Sequence, residues 1–438
     1  MEIISGFSKL SKEKKIEWLH SQIDSSELSS SVSKLKDHWH TDTEVQKTFE
    51  QFSENTVSNF TLPFGLAPNF VIDGKTYTVP MVIEESSVVA AAAKSAKFWA
   101  SRGGFKTKVI STTKSGQVHF KYSGDIEKLQ NFFSLNKSLL VSRCDDLTAN
   151  MEKRGGGIKS IDLLDKTSDL DYYFQLDVSF ETCDAMGANF INSILERLGE
   201  TFKELLLSCE NLNIRDSDID IVMCILSNYT PECVVKAWVE CPVDQLGSIG
   251  ELSAKEYANK FHDAIQIAKI DRTRAVTHNK GIFNGIDSVI IASGNDFRAT
   301  SACGHAFAAK DGSYRGLSSC SIEKNIFKFE ITIPLAIGTV GGLTKLHPMA
   351  KISLDILDNP NAKELMSIVA CTGLAQNFGA ITSLVTTGIQ QGHMKMHLLN
   401  ILNQLGAKPN QVVDAKKYFN DKSISFSEVR AFLERTLH

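Results

Sequence analysis

Val276-Thr-His-Asn-Lys-Gly-Ile-Phe-Asn-Gly-Ile-Asp-Ser-Val-Ile-Ile-Ala-Ser-Gly-Asn-Asp296 is the stretch on which the fold of this chain turns. Lys280 stands alone among small and apolar neighbours with a glycine directly after it, the setting of a lysine that is held in place. The apolar run Ser288 to Ala292 predicts a buried strand, and Ser293-Gly-Asn-Asp296 then puts a carboxylate on the turn that ends it. A cation and an anion on adjoining loops make a polarising pair. Desolvation lowers a lysine pKa and a carboxylate raises it, so the pair can keep an ammonium charged and aimed at a carbonyl oxygen. The same two residues also read as a structural salt bridge.

At 438 residues the chain exceeds one ordinary core, which predicts two or three domains. A hydrophobic fraction of 42%, a charged fraction of 22% and a net charge of −4 are those of a soluble globular protein without a nucleic-acid footprint. The nine cysteines form no Cys-x-x-Cys pair and are odd in number, as expected of reduced thiols in a cytoplasm. Met1 to Leu19 lacks the apolar stretch of a signal peptide, and no run approaches the roughly 20 residues that span a bilayer. Neither a membrane nor a nucleic-acid partner is expected.

Outward from the opening stretch, residues 11–23 predict an amphipathic helix opening at Ser11, and 24–45 a polar connection with further helix. Asn69 to Pro80 predicts a hairpin about Asp73-Gly74. Ser86 to Arg102, alanine-rich and stopped by Gly103-Gly104, predicts a helix capped by its serines. Strands at 117–122, 172–180 and 218–226 with helices at 125–152 and 184–207 predict a compact α+β insertion in a larger domain. A helical tail follows Gly388, with Ser425-Phe-Ser-Glu428 in capping-box form before a helix at 428–436.

Four further motifs carry chemistry. Glu84 and Glu85 precede the alanine-rich helix, where paired carboxylates complement the dipole or serve as acids. Asp184-Ala-Met-Gly-Ala-Asn189 leads from a strand into a helix and reads either as a plain turn or as an anion site at a helix N-terminus. Gly338-Thr-Val-Gly-Gly-Leu-Thr-Lys345 has the wrong spacing for a phosphate loop and reads as a close-packed turn lining the substrate cleft. His393 and His397 stand four apart without a third ligand, which argues against zinc; a histidine on a terminal segment suits proton delivery at neutral pH.

Thr277-His-Asn-Lys-Gly281, Ser293-Gly-Asn-Asp296, Glu84-Glu85-Ser-Ser87, Asp184 to Asn189 and Gly392-His393-Met394 occur together in the order seen in hydroxymethylglutaryl-CoA reductases. The chain most resembles the soluble, bacterial-type class II form, and the likeness runs over nearly its whole length. It departs from the family pattern at Ser86, where proline is usual, and at Ser58, where glycine is usual. On that resemblance, a missing membrane anchor would separate it from the anchored eukaryotic form.

The resemblance implies an α+β fold: a large mixed α/β substrate domain (1–110 and 226–389), an inserted small ferredoxin-like, non-Rossmann cofactor domain (111–225) and a helical C-terminal flap (390–438). It implies Glu85, Lys280, Asp296 and His393 as catalytic residues. Asp184, Met186, Gly187, Ala188, Asn189, Asn228 and Thr148 would bind the cofactor, and Arg274, Ser87, Asn284 and Gln376 the substrate; no metal is implied. Thr148 occupies the position where an acidic residue accompanies NADH use, which favours NADPH over NADH, although Asp145 and Asp146 lie close by. The implied activity is four-electron reduction of hydroxymethylglutaryl-CoA to mevalonate and coenzyme A, by a homodimer or higher even oligomer with shared sites. The alternative is a noncatalytic CoA-ester or nucleotide-binding relative of the same fold.

Overall fold

A computed structural model describes residues 3–22, 30, 32–210, 215, 218–386, 398–419, 422 and 424–435. It is a mixed α/β structure with three antiparallel sheets. Helix α1 (Lys12–Ser21) opens where Ser11 accepts the Lys14 N–H, and α2 (Thr43–Glu50) is capped by Asp42. Strands β1 (Phe64–Ile72) and β2 (Lys75–Val82) form the expected hairpin. Its turn residues Asp73 and Gly74 both have positive φ, the left-handed pair that a tight hairpin requires. Helix α3 (Val88–Ala100) follows, but Ser87 caps it in a left-handed conformation without a side-chain hydrogen bond.

Strand β3 (Lys106–Val109) leads into β4 (Lys114–Tyr122), whose residues alternate between buried and partly exposed. The expected helix over 125–152 is two helices, α4 (Ile126–Ser142) and α5 (Asp145–Glu152), with Arg143 and Cys144 between them. Strands β5 (Gly157–Asp165) and β6 (Tyr173–Glu181), helix α6 (Ala188–Ser208) and β7 (Ile219–Leu226) complete a four-stranded sheet ordered β5-β6-β4-β7. Inward residues Val118, Phe120, Phe174, Leu176, Val178 and Phe180 meet Ile194, Leu198 and Phe202 of α6 in a core of their own.

Strand β8 (Val234–Pro242) returns to β3. Helices α7 (Ala254–Ile270), α8 (Arg272–Ala292) and α9 (Phe297–Ala308) precede strands β9 (Ser318–Glu323) and β10 (Ile326–Pro334), and the second sheet runs β3-β8-β10-β9. Short helices α10 (Leu343–Leu346) and α11 (Pro348–Ile356) lead to α12 (Ala362–Val385). Though α12 is long and apolar enough to cross a membrane, most of it lies in the main core beside Trp99, Phe261, Phe327 and Phe329. A small third core joins Leu398, Ile401 and Leu402 to Phe419 of the loop after α13 (Pro409–Tyr418) and Val429 of α14 (Phe426–Arg435). At the start of α14 the Ser425 hydroxyl accepts the Glu428 N–H, as the capping-box spacing predicts, and donates to the Glu428 carboxylate.

The opening stretch overturns one expectation. Ser288 to Ala292 is the last part of α8, so Val276 to Ala292 is all helix. Its buried positions, Ala275, His278, Asn279, Ile282, Phe283, Ile286, Val289 and Ile290, recur every three or four residues and face the core. Glycines allow α8 and α12 to approach closely: a Cβ on Gly285 would fall 2.8 Å from Gln376 Cβ and from the Thr372 carbonyl oxygen.

Candidate active site

Lys280 projects from α8 toward the turn before α3, and its Nζ lies 2.6 Å from Glu85 Oε2. Asn284, one helical turn on, donates to the same oxygen at 3.1 Å. Asn284 thus braces the carboxylate in addition to facing the cleft that the resemblance gave to substrate. Glu85, Ser87, Arg274, Lys280, Asn284 and Gln376 all line this cleft, about 230 Å³ in volume. No carboxylate pairs with Arg274 among the described residues, and its partial burial lowers its pKa. Gln376 Oε1 is buried without a hydrogen-bond partner. The planar cation suits a carboxylate ligand, while the unpartnered Gln376 oxygen calls for a hydrogen-bond donor.

Beneath the cleft lies a network that the sequence did not announce. His278 is 1% exposed, and its Nε2 lies 2.7 Å from Ser318 Oγ, which in turn donates to Asn377 Oδ1 at 2.7 Å. With Ser318 donating onward, Nε2 is the protonated nitrogen, and Nδ1 has no partner. Burial, aided by the charges of Arg274 and Lys269, pushes the His278 pKa down to about 3, so the imidazole is neutral. Asn279 donates to the Arg315 carbonyl at 2.9 Å and accepts from Leu317 N–H at 2.9 Å. These bonds fix the register of Lys280, one residue later, but nothing in the local sequence marks His278 or Asn279 as tied to residues 315–318.

Asp296 is elsewhere. It caps α9, accepting the N–H groups of Arg298 at 3.0 Å and Ala299 at 3.1 Å, and the Arg298 guanidinium at 3.2 Å. Burial opposes its charge, but the Arg298 and Ala299 bonds outweigh that and hold its carboxyl below the usual range. Lys280 and Ala292 are 12 residues apart in the helix, about 18 Å at 1.5 Å per residue. Lys280 and Asp296 therefore do not stand on adjoining loops: Lys280 lies near the middle of α8, and Asp296 lies just past its C-terminal end.

The Asp296 end is joined to the 184–189 turn. Asn295 Oδ1 accepts the Gly338 N–H at 2.9 Å, and a Cβ on Gly338 would fall 2.4 Å from the Met186 nitrogen. The Thr339 N–H donates to the Asp184 carbonyl at 2.8 Å, and Asp184 Oδ1 accepts the Ala362 N–H at 2.8 Å. The glycine-rich turn at 338–342 thus packs on 184–186 and does not line the Lys280 cleft. Gly187, at φ +92, begins α6, whose first turn holds no acidic residue and no side-chain cap. A Cβ on Gly187 would lie 2.6 Å from Thr182 Cγ2, so only glycine fits that approach. Ala188 and the exposed Asn189 follow in the same first turn. Leu226 N–H donates to Asn192 Oδ1 at 2.8 Å, which brings the loop bearing the exposed Asn228 beside this turn.

Thr148 stands differently from the expectation. It is 2% exposed and its hydroxyl has no partner, so it is not presented to a ribose; the exposed residues on α5 include Asp145 and Asp146, the latter 3.2 Å from Arg197. His393 and His397 lie outside the described residues. Among the described residues no group of three or more His, Cys, Asp or Glu is placed to hold a metal.

A family model described as hydroxymethylglutaryl-coenzyme A reductase matches residues 12–398. The chain is 34% identical over 364 residues to the 3-hydroxy-3-methylglutaryl-coenzyme A reductase of Archaeoglobus fulgidus, covering 83% of this chain and 79% of that one. It is 35% identical over 358 residues to the probable reductase of Borreliella burgdorferi, covering 82% and 79%. The reductase structure from Streptococcus pneumoniae superposes with a TM-score of 0.72 at 36% identity, covering 99% of this chain and all of that one. A class II structure from the same organism, bound to NADPH in open conformations, gives 0.70 at 37% identity over 87% of this chain and all of that one.

Proposed function

This chain belongs to the hydroxymethylglutaryl-CoA reductase family, class II, an NADPH-dependent oxidoreductase family, and from that premise we propose how its residues reduce hydroxymethylglutaryl-CoA to mevalonate and coenzyme A. The observation that carries the reading is the Lys280–Glu85 pair at 2.6 Å in a cleft that also holds the unpaired Arg274. Arg274, with Ser87 and Gln376, takes the substrate carboxylate and so fixes the thioester carbonyl beside Lys280. The ammonium stabilises the oxyanion that forms there, and Glu85, steadied by Asn284 and in its acid form at this step, supplies the proton and takes it back as the carbonyl re-forms. Collapse of the thiohemiacetal breaks the carbon–sulfur bond, and His393 protonates the departing thiolate. Reference pKa values of about 6.5 and 8.5 make that transfer downhill. The aldehyde stays in the cleft and undergoes the second reduction on the same ammonium.

The 184–189 turn fits a dinucleotide, since Gly187 opens the N-terminus of a 21-residue helix whose first N–H groups meet no side-chain cap. When bound there, the reduced dinucleotide supplies the hydride. NADPH is proposed from the Streptococcus pneumoniae relative, with NADH as the alternative; Thr148, being buried, adds nothing to that choice. Separate cores and sheets support the substrate domain over 1–110 and 226–389 and the inserted cofactor domain over 111–225. In that insert the βαββαβ order and the β5-β6-β4-β7 sheet have the ferredoxin-like arrangement. The 390–438 flap carries His393. Nine free thiols support a cytoplasmic setting.

The separation of Lys280 from Asp296 supports a homodimer in which Asp296 and the cofactor turn of one chain meet the Lys280 cleft of the other. A second copy brings the missing carboxylate to the ammonium without moving α8. The assay that tests the whole reading follows NADPH consumption and thiol release from hydroxymethylglutaryl-CoA. Two NADPH oxidised per coenzyme A freed is the expected result, and binding without turnover would favour the noncatalytic alternative.

A further inference from the structure

Lys114 is the first residue of β4 and 4% exposed, yet it takes no part in the chemistry above. Its Nζ donates to Thr182 Oγ1 and, at 2.7 Å, to the carbonyl oxygen of Ala185. Thr182 is fully buried, and its hydroxyl also bonds the Ala185 carbonyl, at 2.7 Å. Ammonium, hydroxyl and carbonyl close a triangle under residues 182–185. The same Thr182 presents Cγ2 to Gly187 and so sets how closely the start of α6 approaches β6. Cys183, held between them at φ +50, bends the chain, and its N–H donates to Glu181 Oε1 at 2.9 Å. The backbone from Glu181 to Gly187 is thus wound around one buried amine.

A buried ammonium is a costly way to hold a turn. Removing a lysine from water opposes its charge, and an apolar side chain of similar length is usually as good or better for stability. Burial lowers the pKa of Lys114, while Glu181, Cys183, Asp184 and Cys233 oppose that shift. A positive group kept at the mouth of a helix N-terminus adds to the potential that an anion meets there.

We propose that Lys114 is the positioning residue of the dinucleotide turn: it holds Thr182 and Ala185 so that the α6 N-terminus stays open, and adds its charge beneath a phosphate-bearing ligand. The proposal rests on residues 184–189 being the dinucleotide site. Binding of NADPH and of hydroxymethylglutaryl-CoA is measured separately, by calorimetry, on wild type, Gly187→Ala, Lys114→Met and Thr182→Val, with Tm for each. Gly187→Ala tests the site itself and should lose NADPH alone; full binding there would show that the site lies elsewhere. Lys114→Met should weaken NADPH by about 10- to 100-fold, the loss expected for a charged hydrogen-bonding group, with thioester affinity and Tm held or Tm raised. Thr182→Val, which keeps the lysine, should weaken NADPH less and serves if Lys114→Met does not fold. Loss confined to Gly187→Ala overturns the role of Lys114. So does an equal fall in both ligands together with Tm, the signature of a merely structural lysine.

Discussion

The middle of α8 and its C-terminal end are built differently. At Lys280 the helix is pinned by Asn279 and His278 to residues 315–318, and its cation is left facing a cleft with one carboxylate partner, Glu85. At Ala292 the helix stops in a tight turn whose polar side chains are committed: Asn295 to Gly338, Asp296 to the first turn of α9 and to Arg298. Lys280 is arranged for a reacting group, and the C-terminal turn for joining α8 to the 184–189 turn. Within one chain the two stand about 18 Å apart along the helix.

The largest effect should come from the cleft. Lys280→Ala should lower thioester and mevaldehyde reduction alike by about 100- to 1,000-fold or more, because both steps build charge on the same oxygen. A loss in only one of them would break the assignment of a common oxyanion site. His393→Gln should be more selective. Thioester reduction should fall by about 100-fold while mevaldehyde, which has no thiolate to expel, reacts at near wild-type rate; equal loss of both substrates would remove His393 from thiolate protonation.

Two turns beyond Lys280 on α8, Asp287 separates stability from catalysis. It accepts from Ser301 at 2.9 and 3.0 Å, and burial raises its pKa to about 6, the Ser301 bond only partly offsetting this. A carboxyl raised on folding contributes stability that is complete below its unfolded pKa and lost as pH rises through the folded value. Asp287→Asn should therefore raise stability at neutral pH by about 1–2 kcal/mol, discounted for partial exposure, with little change in acid. Thermal unfolding across pH reads this directly, and a lower Tm at neutral pH would mean that the charged form is the one the fold favours.

How much of this the sequence revealed varies along α8. Lys280 and Glu85 were legible as chemistry, and the 2.6 Å pair brings them together. The helix itself was hidden, because Val289, Ile290 and Ile291 viewed as a short apolar run look like a strand. Over the longer window from Ala275 to Ala292 the three-to-four-residue repeat of buried positions was present. Strands β4 and β6 were readable from their alternation, since their inward residues have one face to fill. His278 was not readable, since its partners Ser318 and Asn377 are distant in sequence. Nor was the left-handed Ser87, as a serine before a helix ordinarily caps through its hydroxyl.

The proposal that a second copy brings Asp296 to Lys280 is tested most directly by mixing inactive chains. Asp296→Asn keeps a capping side chain while removing the charge, and Lys280→Ala empties the cleft of its cation. Co-refolded in equal amounts, they should regain about a quarter of wild-type activity, because half the dimers are mixed and each mixed dimer has one complete site of two. Glu85→Ala mixed with Lys280→Ala should regain none, since that pair belongs to one chain. No recovery in the first mixture, with mixed dimers demonstrated, would contradict a site shared between two copies.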